Sequence, residues 1–138
     1  MVIPLDPWQV QPMDRVVRVL VVDDVEDVAD SLAELLRALG YDACAVYNGT
    51  RALELAGGYR PDAVIMDISM PGQDGLQTAR HLKNDRRLGR TTFIAHTATD
   101  TSVARKLAAQ IGFAHFICKG ALNSVTEVLT ALSGIRVE

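Results

Sequence analysis

Five side chains in this sequence could together handle a phosphoryl group: the carboxylates of Asp23, Asp24 and Asp67, the hydroxyl of Thr97 and the ammonium of Lys119. Three carboxylates a few ångströms apart repel one another strongly and stay ionised together only when a cation lies among them. Mg2+ suits such a set, because it takes oxygen ligands at about 2.0–2.1 Å and keeps several of its waters. A lysine adds a second point charge for a phosphoryl oxygen, and a hydroxyl can hydrogen-bond another. Phosphoryl transfer asks mainly for positioning and electrostatic stabilisation, which this set supplies. Singly, each residue has a plainer reading. Asp23 and Asp24 precede a helical pattern whose N-terminus favours negative charge, Thr97 alone means little, and Lys119 alone would be a surface lysine. The combination carries the chemistry, provided the chain brings its members together.

The elements that must do so are written in the apolar pattern. Residues 16–22 form a mostly apolar, β-branched run without alternation, which suits a strand covered on both faces of a parallel sheet. Val28, Leu32, Leu35, Leu36 and Leu39 then recur at helical spacing, with carboxylates before them and Gly40 after. The same alternation continues, with strands predicted at 42–47, 63–66, 92–96 and 113–118. Helices are predicted at 50–56, closed by Gly57-Gly58, and at 75–83, 101–110 and 122–132. In the last of these, Leu122, Val125, Val128, Leu129 and Leu132 are expected to face inward. Five strands alternating with five helices predict an α/β fold with a doubly wound parallel sheet. Ligands of such sheets gather outside the carboxyl ends of the strands. Those ends carry Asp23 and Asp24 (first strand), Asp67 (third), Thr97 (fourth) and Lys119 (fifth). Residues 1–14, with Pro4, Pro7, Pro12 and Trp8, read as an N-terminal extension, and 15–138 as one domain.

Four segments resemble, in order, those of response-regulator receiver domains of two-component signal transduction, chemotaxis regulators among them. They are Val21-Val22-Asp23-Asp24, Met66-Asp67-Ile68-Ser69-Met70-Pro71-Gly72-Gln73-Asp74-Gly75, His96-Thr97-Ala98 and Phe116-Ile117-Cys118-Lys119. The resemblance spans residues 16 to 133 and implies a flavodoxin-like five-stranded sheet in the order 2-1-3-4-5, flanked by five helices. It implies Asp67 as phosphoacceptor and a Mg2+ cofactor. Asp24, Asp67 and the backbone carbonyl of Ser69 would be direct ligands, with Asp23 acting through water. It implies Thr97 and Lys119 as the pair that senses the phosphoryl group, and Phe116 as the aromatic switch. Implied partners are a histidine kinase or histidine phosphotransfer protein as donor and a downstream protein as target, with a homodimer compatible. Cys44 and Cys118 would then lie on opposite sheet edges and not pair. Two positions depart from the family pattern. Gly120 stands where proline commonly follows the lysine, and His96 where an apolar residue commonly precedes the threonine. Without proline, the Lys119–Gly120 bond is expected to be trans, with glycine's freedom in φ turning the loop.

Other readings meet specific obstacles. Haloacid-dehalogenase-type phosphatases also form an aspartyl phosphate, but place a second acid two residues after it, where this chain has Ser69. No P-loop lysine motif is present, and no G-x-G-x-x-G follows the first strand. A module of a hybrid sensor kinase and a phosphate sink remain as alternatives within the same chemistry. The 138 residues are 49% apolar and 22% charged, with net charge −3, which argues against direct nucleic-acid binding. No apolar run approaches the roughly 18–20 residues of a membrane span, and the expected setting is cytoplasmic. His96 reads as a packed, hydrogen-bonded histidine, His81 and His115 as surface residues, and Asp74 as a turn or cap residue.

Overall fold

The computed structural model describes residues 16–70 and 75–135. Residues 1–14, with Trp8, read above as an extension, and residues 71–74, with Asp74, lie outside them. Described elements run β1 (Arg18–Val22), α1 (Glu26–Ala38), β2 (Asp42–Val46), α2 (Gly49–Tyr59), β3 (Ala63–Met66), α3 (Gly75–Lys83), a 3-10 turn (Arg86–Leu88), β4 (Thr92–Thr97), α4 (Ser102–Ile111), β5 (His115–Cys118) and α5 (Ser124–Ser133). The strands form one parallel sheet in the order β2-β1-β3-β4-β5, so the flavodoxin-like topology expected from the resemblance is the one observed.

Apolar strands without alternation arise because both sheet faces are covered. Leu20, Val22, Val64, Met66, Phe93 and Ala95 pack into one core with α2, α3 and α4. Their neighbours Val19, Val21, Ala63, Ile65, Ile94 and Ile117 pack into a second core with α1 and α5. Successive residues therefore feed opposite layers, as the two-residue pleat requires. Cys44 on β2 and Cys118 on β5 are on opposite edges and unpaired.

Three helices differ from the sequence reading. Gly57-Gly58 does not close α2, which runs on to Tyr59 and stops at left-handed Arg60 (φ 53°), whose N–H donates to Ala56 O just before Pro61. Gly57 is buried, and the Arg87 guanidinium fills the space where a Cβ would stand. Glycine here admits a crossing side chain rather than ending a helix. In α5, Leu122 and Val125 are exposed, because the helix begins at Ser124 and turns its Ser124-Val128-Ala131-Leu132 stripe to the core; Leu129 is partly buried. In α1, Leu35 and Leu39 are likewise exposed, while Ala29, Leu32, Ala33 and Leu36 face the sheet. Small alanines let this helix pack closely, a choice that leucine spacing alone does not reveal. β5 begins two residues later than expected, and the 3-10 turn, which buries Leu88, had no sequence counterpart.

Candidate functional site

The rim chemistry begins where the strand ladders run one residue past their strands. Asp23 N–H donates to Val46 O (3.1 Å), Asp67 N–H to Val22 O (2.9 Å), and Lys119 N–H to Thr97 O (2.9 Å). Each bond fixes the backbone of a site residue to a neighbouring strand. The side chains consequently meet. Asp23 and Asp67 are buried, at 2% and 6% exposure, Thr97 is wholly buried, and Asp24 is half-buried. One carboxylate oxygen from each of Asp23, Asp24 and Asp67 lies within 4.8 Å of the others.

Lys119 stands between two of these acids, its Nζ 2.5 Å from Asp23 Oδ2 and 2.9 Å from Asp67 Oδ2. Burial works against its charge, but hydrogen bonds to Asp23 and Asp67 and the charges of both outweigh it, holding the ammonium above the ordinary lysine value. The Lys119–Gly120 bond is trans, as expected, but Gly120 has no positive φ, and a Cβ there would meet nothing within 4 Å. The loop does not call on glycine's conformational freedom.

Hydroxyls form a second line across the rim. Thr97 Oγ1 donates to Ser69 Oγ (3.2 Å), which donates to Thr99 Oγ1 (2.7 Å), while Thr99 N–H donates to Thr97 Oγ1 (3.3 Å). Ser69 N–H also donates to Asp67 Oδ1 (2.9 Å). The loop after β3 is held from beneath by α3: a Cβ on Gly75 would stand 2.7 Å from Ile68 Cα and 2.9 Å from Asp67 O, so only glycine permits this approach. Phe116 is half-buried, with the Arg105 guanidinium 4.6 Å from its ring centroid and Asp100 Oδ1 2.6 Å from Arg105 Nε. His96 is packed at 8% exposure, but its Nε2 finds no hydrogen-bond partner among the described residues. Burial lowers its pKa, and the Lys119 charge adds to this against opposition from Asp23 and Asp67. His81 and His115 are exposed.

An oxygen-rich pocket with a lysine across it, on a 2-1-3-4-5 parallel sheet, narrows the kinship of the chain. The response regulator receiver domain family model matches residues 19–131. The chain belongs to this family. Solved structures similar to this receiver domain include chemotaxis protein CheY4 of Vibrio cholerae, 21% identical over 88% of this chain and 99% of that one, with TM-score 0.80. The response regulator domain of Thermotoga maritima CheB is 24% identical over 88% and 96% of the two chains, TM-score 0.76. The activated N-terminal receiver domain of Klebsiella pneumoniae RstA is 25% identical over 83% and 96%, TM-score 0.72.

Within this receiver domain the structure brings together Asp23, Asp24, Asp67, Ser69, Thr97 and Lys119, and sets Phe116 apart under Arg105. Sequence reasoning missed the Ser69 hydroxyl, Thr99 and Arg105. Thr99 carries no spacing signal, because only the folded loops bring it to Ser69. Arg105 had a faint one, in an acid five residues before it.

Proposed function

We propose that this receiver domain takes a phosphoryl group onto Asp67 in a Mg2+-dependent reaction, from a histidine kinase or histidine phosphotransfer protein, and that the modified protein presents an altered α4-β5-α5 surface to a downstream protein. One observation carries this reading. The Asp67 carboxylate is buried at the sheet rim, yet within reach of Lys119 at 2.9 Å and of the Asp23 and Asp24 oxygens.

In the transfer, an Asp67 oxygen bonds to phosphorus as the P–N bond to the donor imidazole breaks, and the electron pair leaves on the imidazole nitrogen. The donor set is all oxygen, which fits a hard divalent cation. Asp24, Asp67 and the Ser69 backbone carbonyl would hold Mg2+, with Asp23 acting through water. Mg2+, when bound, offsets negative charge on the transferred group. Lys119 pairs with one phosphoryl oxygen, and Thr97 leaves Ser69 to hydrogen-bond another. Phe116 turns inward as Thr97 moves, which separates its ring from Arg105.

On this reading the protein is a regulator with self-catalysed phosphotransfer and dephosphorylation, working in the cytoplasm, with residues 1–14 an extension of a domain spanning 15–138. The same chemistry would serve a hybrid-kinase module or a phosphate sink. Neither nucleic acid nor membrane enters the reading, and no helix among the described residues is long and apolar enough to cross a membrane.

Acetyl phosphate with Mg2+ should label the protein through an acid-stable, base-labile bond. Asp67→Asn, a nearly isosteric change, should abolish that label and keep the fold. Undiminished labelling of the variant would overturn the assignment.

A further inference from the structure

On the far side of β4 from the Thr97 hydroxyl, a cavity of about 420 Å³ opens between α1 and α5. Val28, Leu32, Leu35 and Val125 give it apolar walls, Asp27 and Ser31 of α1 stand beside them, and His96 supplies a polar ring. The size lies in the roughly 300–1,000 Å³ range of small-molecule sites, which pair apolar walls with a few placed polar groups. His96 is more than nine-tenths buried, and among the described residues its Nε2 has no hydrogen-bond partner. Buried polar nitrogens in folded proteins are nearly always satisfied, and one left unmet carries the full cost of its desolvation.

We propose that this cavity is a binding site for a neutral, ring-sized hydrocarbon bearing a hydroxyl, which completes the hydrogen bonding of His96. The walls select an apolar body. Asp27, a carboxylate beside the cavity, disfavours anions. Burial among apolar walls penalises a net charge of either sign at depth, where the imidazole feels Lys119 on one side and Asp23 and Asp67 on the other. A neutral imidazole nitrogen donates or accepts one hydrogen bond according to tautomer, and a hydroxyl answers either case, which an ether or a simple amide nitrogen does not. Nε2 is closed to solvent, so the ligand must part the wall to reach it. Val125, exposed in the first turn of α5, and Leu35, exposed on α1, are the wall side chains least held by packing.

Phenol and toluene, equal in shape and different in one hydroxyl, test this on the full chain by NMR titration. Phenol should give saturable shifts confined to residues 27–35, His96 and 124–128, with a displaced His96 Nε2 resonance, and should bind roughly tenfold tighter than toluene, as one buried hydrogen bond provides. His96→Leu should reverse that preference, and Val125→Trp, which fills the mouth from an exposed position, should abolish both. The Asp67 label is measured in parallel: its loss in any variant marks damage to the rim, separate from the cavity. Toluene binding as tightly as phenol to the unmodified protein, a stationary Nε2 resonance, or unsaturable shifts would each overturn the proposal, and none of the three needs a variant to fold.

Discussion

His96 is the residue with the clearest pH signature. Burial, reinforced by the Lys119 charge, holds its imidazole below the ordinary value of 6.5, against Asp23 and Asp67. The folded pKa lies below the unfolded one, so the unfolded chain takes up a proton that the folded chain refuses, and stability is lost as pH falls through and below 6.5. Urea unfolding at pH 7.5, 6.5 and 5.5 should show this decline, and His96→Leu should flatten it relative to the unmodified protein. Parallel profiles for the two proteins would contradict a buried neutral imidazole. The acids ask a different question. On the proposed ligand set, with Asp24 direct and Asp23 acting through water, Asp24→Ala should weaken Mg2+ binding strongly and Asp23→Ala less. Equal affinities in a metal titration of all three proteins would exclude a cation at this rim.

Among the elements, α3 is the one placed by a single atom's absence. Gly75→Ala sets a Cβ against the Ile68 and Asp67 backbone, so the helix must retreat or the loop after β3 must shift. A cost of about 1–3 kcal/mol is expected from such overpacking, read as a lower urea midpoint at unchanged slope. Leu36→Ala, in the α1 core, should cost about 2–5 kcal/mol. The strands were legible because covering both faces leaves an unbroken apolar run, and the rim residues followed because they end those runs. The helix faces were less so. Leu122 and Val125 fit a helical period, but the start of α5 at Ser124 and the Val128–Leu132 stripe set the phase. Gly57-Gly58 had the composition of a helix stop, yet the Arg87 side chain that needs the space at Gly57 comes from thirty residues on. The Ser69–Thr99 bond and the Arg105 stack on Phe116 have the same origin: they join segments whose meeting only the tertiary fold decides.

For the molecule as a whole, beryllofluoride with Mg2+ should move NMR resonances across 97–110 and 116–123, because a switch needs two discrete arrangements that both ends share. Arg105→Ala, which removes a cation stacked on Phe116, should raise the fraction of Phe116 turned inward before activation. Shifts confined to residues touching Asp67 would instead favour a phosphate sink. The lysine bridge has a consequence of its own. Lys119 already offsets part of the charge of Asp23 and Asp67, at 2.5 and 2.9 Å, so a divalent cation enters in competition with it, and its measured affinity is a difference between two counter-ions. Lys119→Met should therefore behave in opposite ways by condition. Without metal, the uncompensated acids should destabilise the fold by up to about 3 kcal/mol; with Mg2+ in excess, binding to the folded state alone should return much of it. Denaturation curves with and without Mg2+ should lie close together for the unmodified protein and far apart for the variant, turning a protein that carries its own counter-ion into one that borrows it from solution.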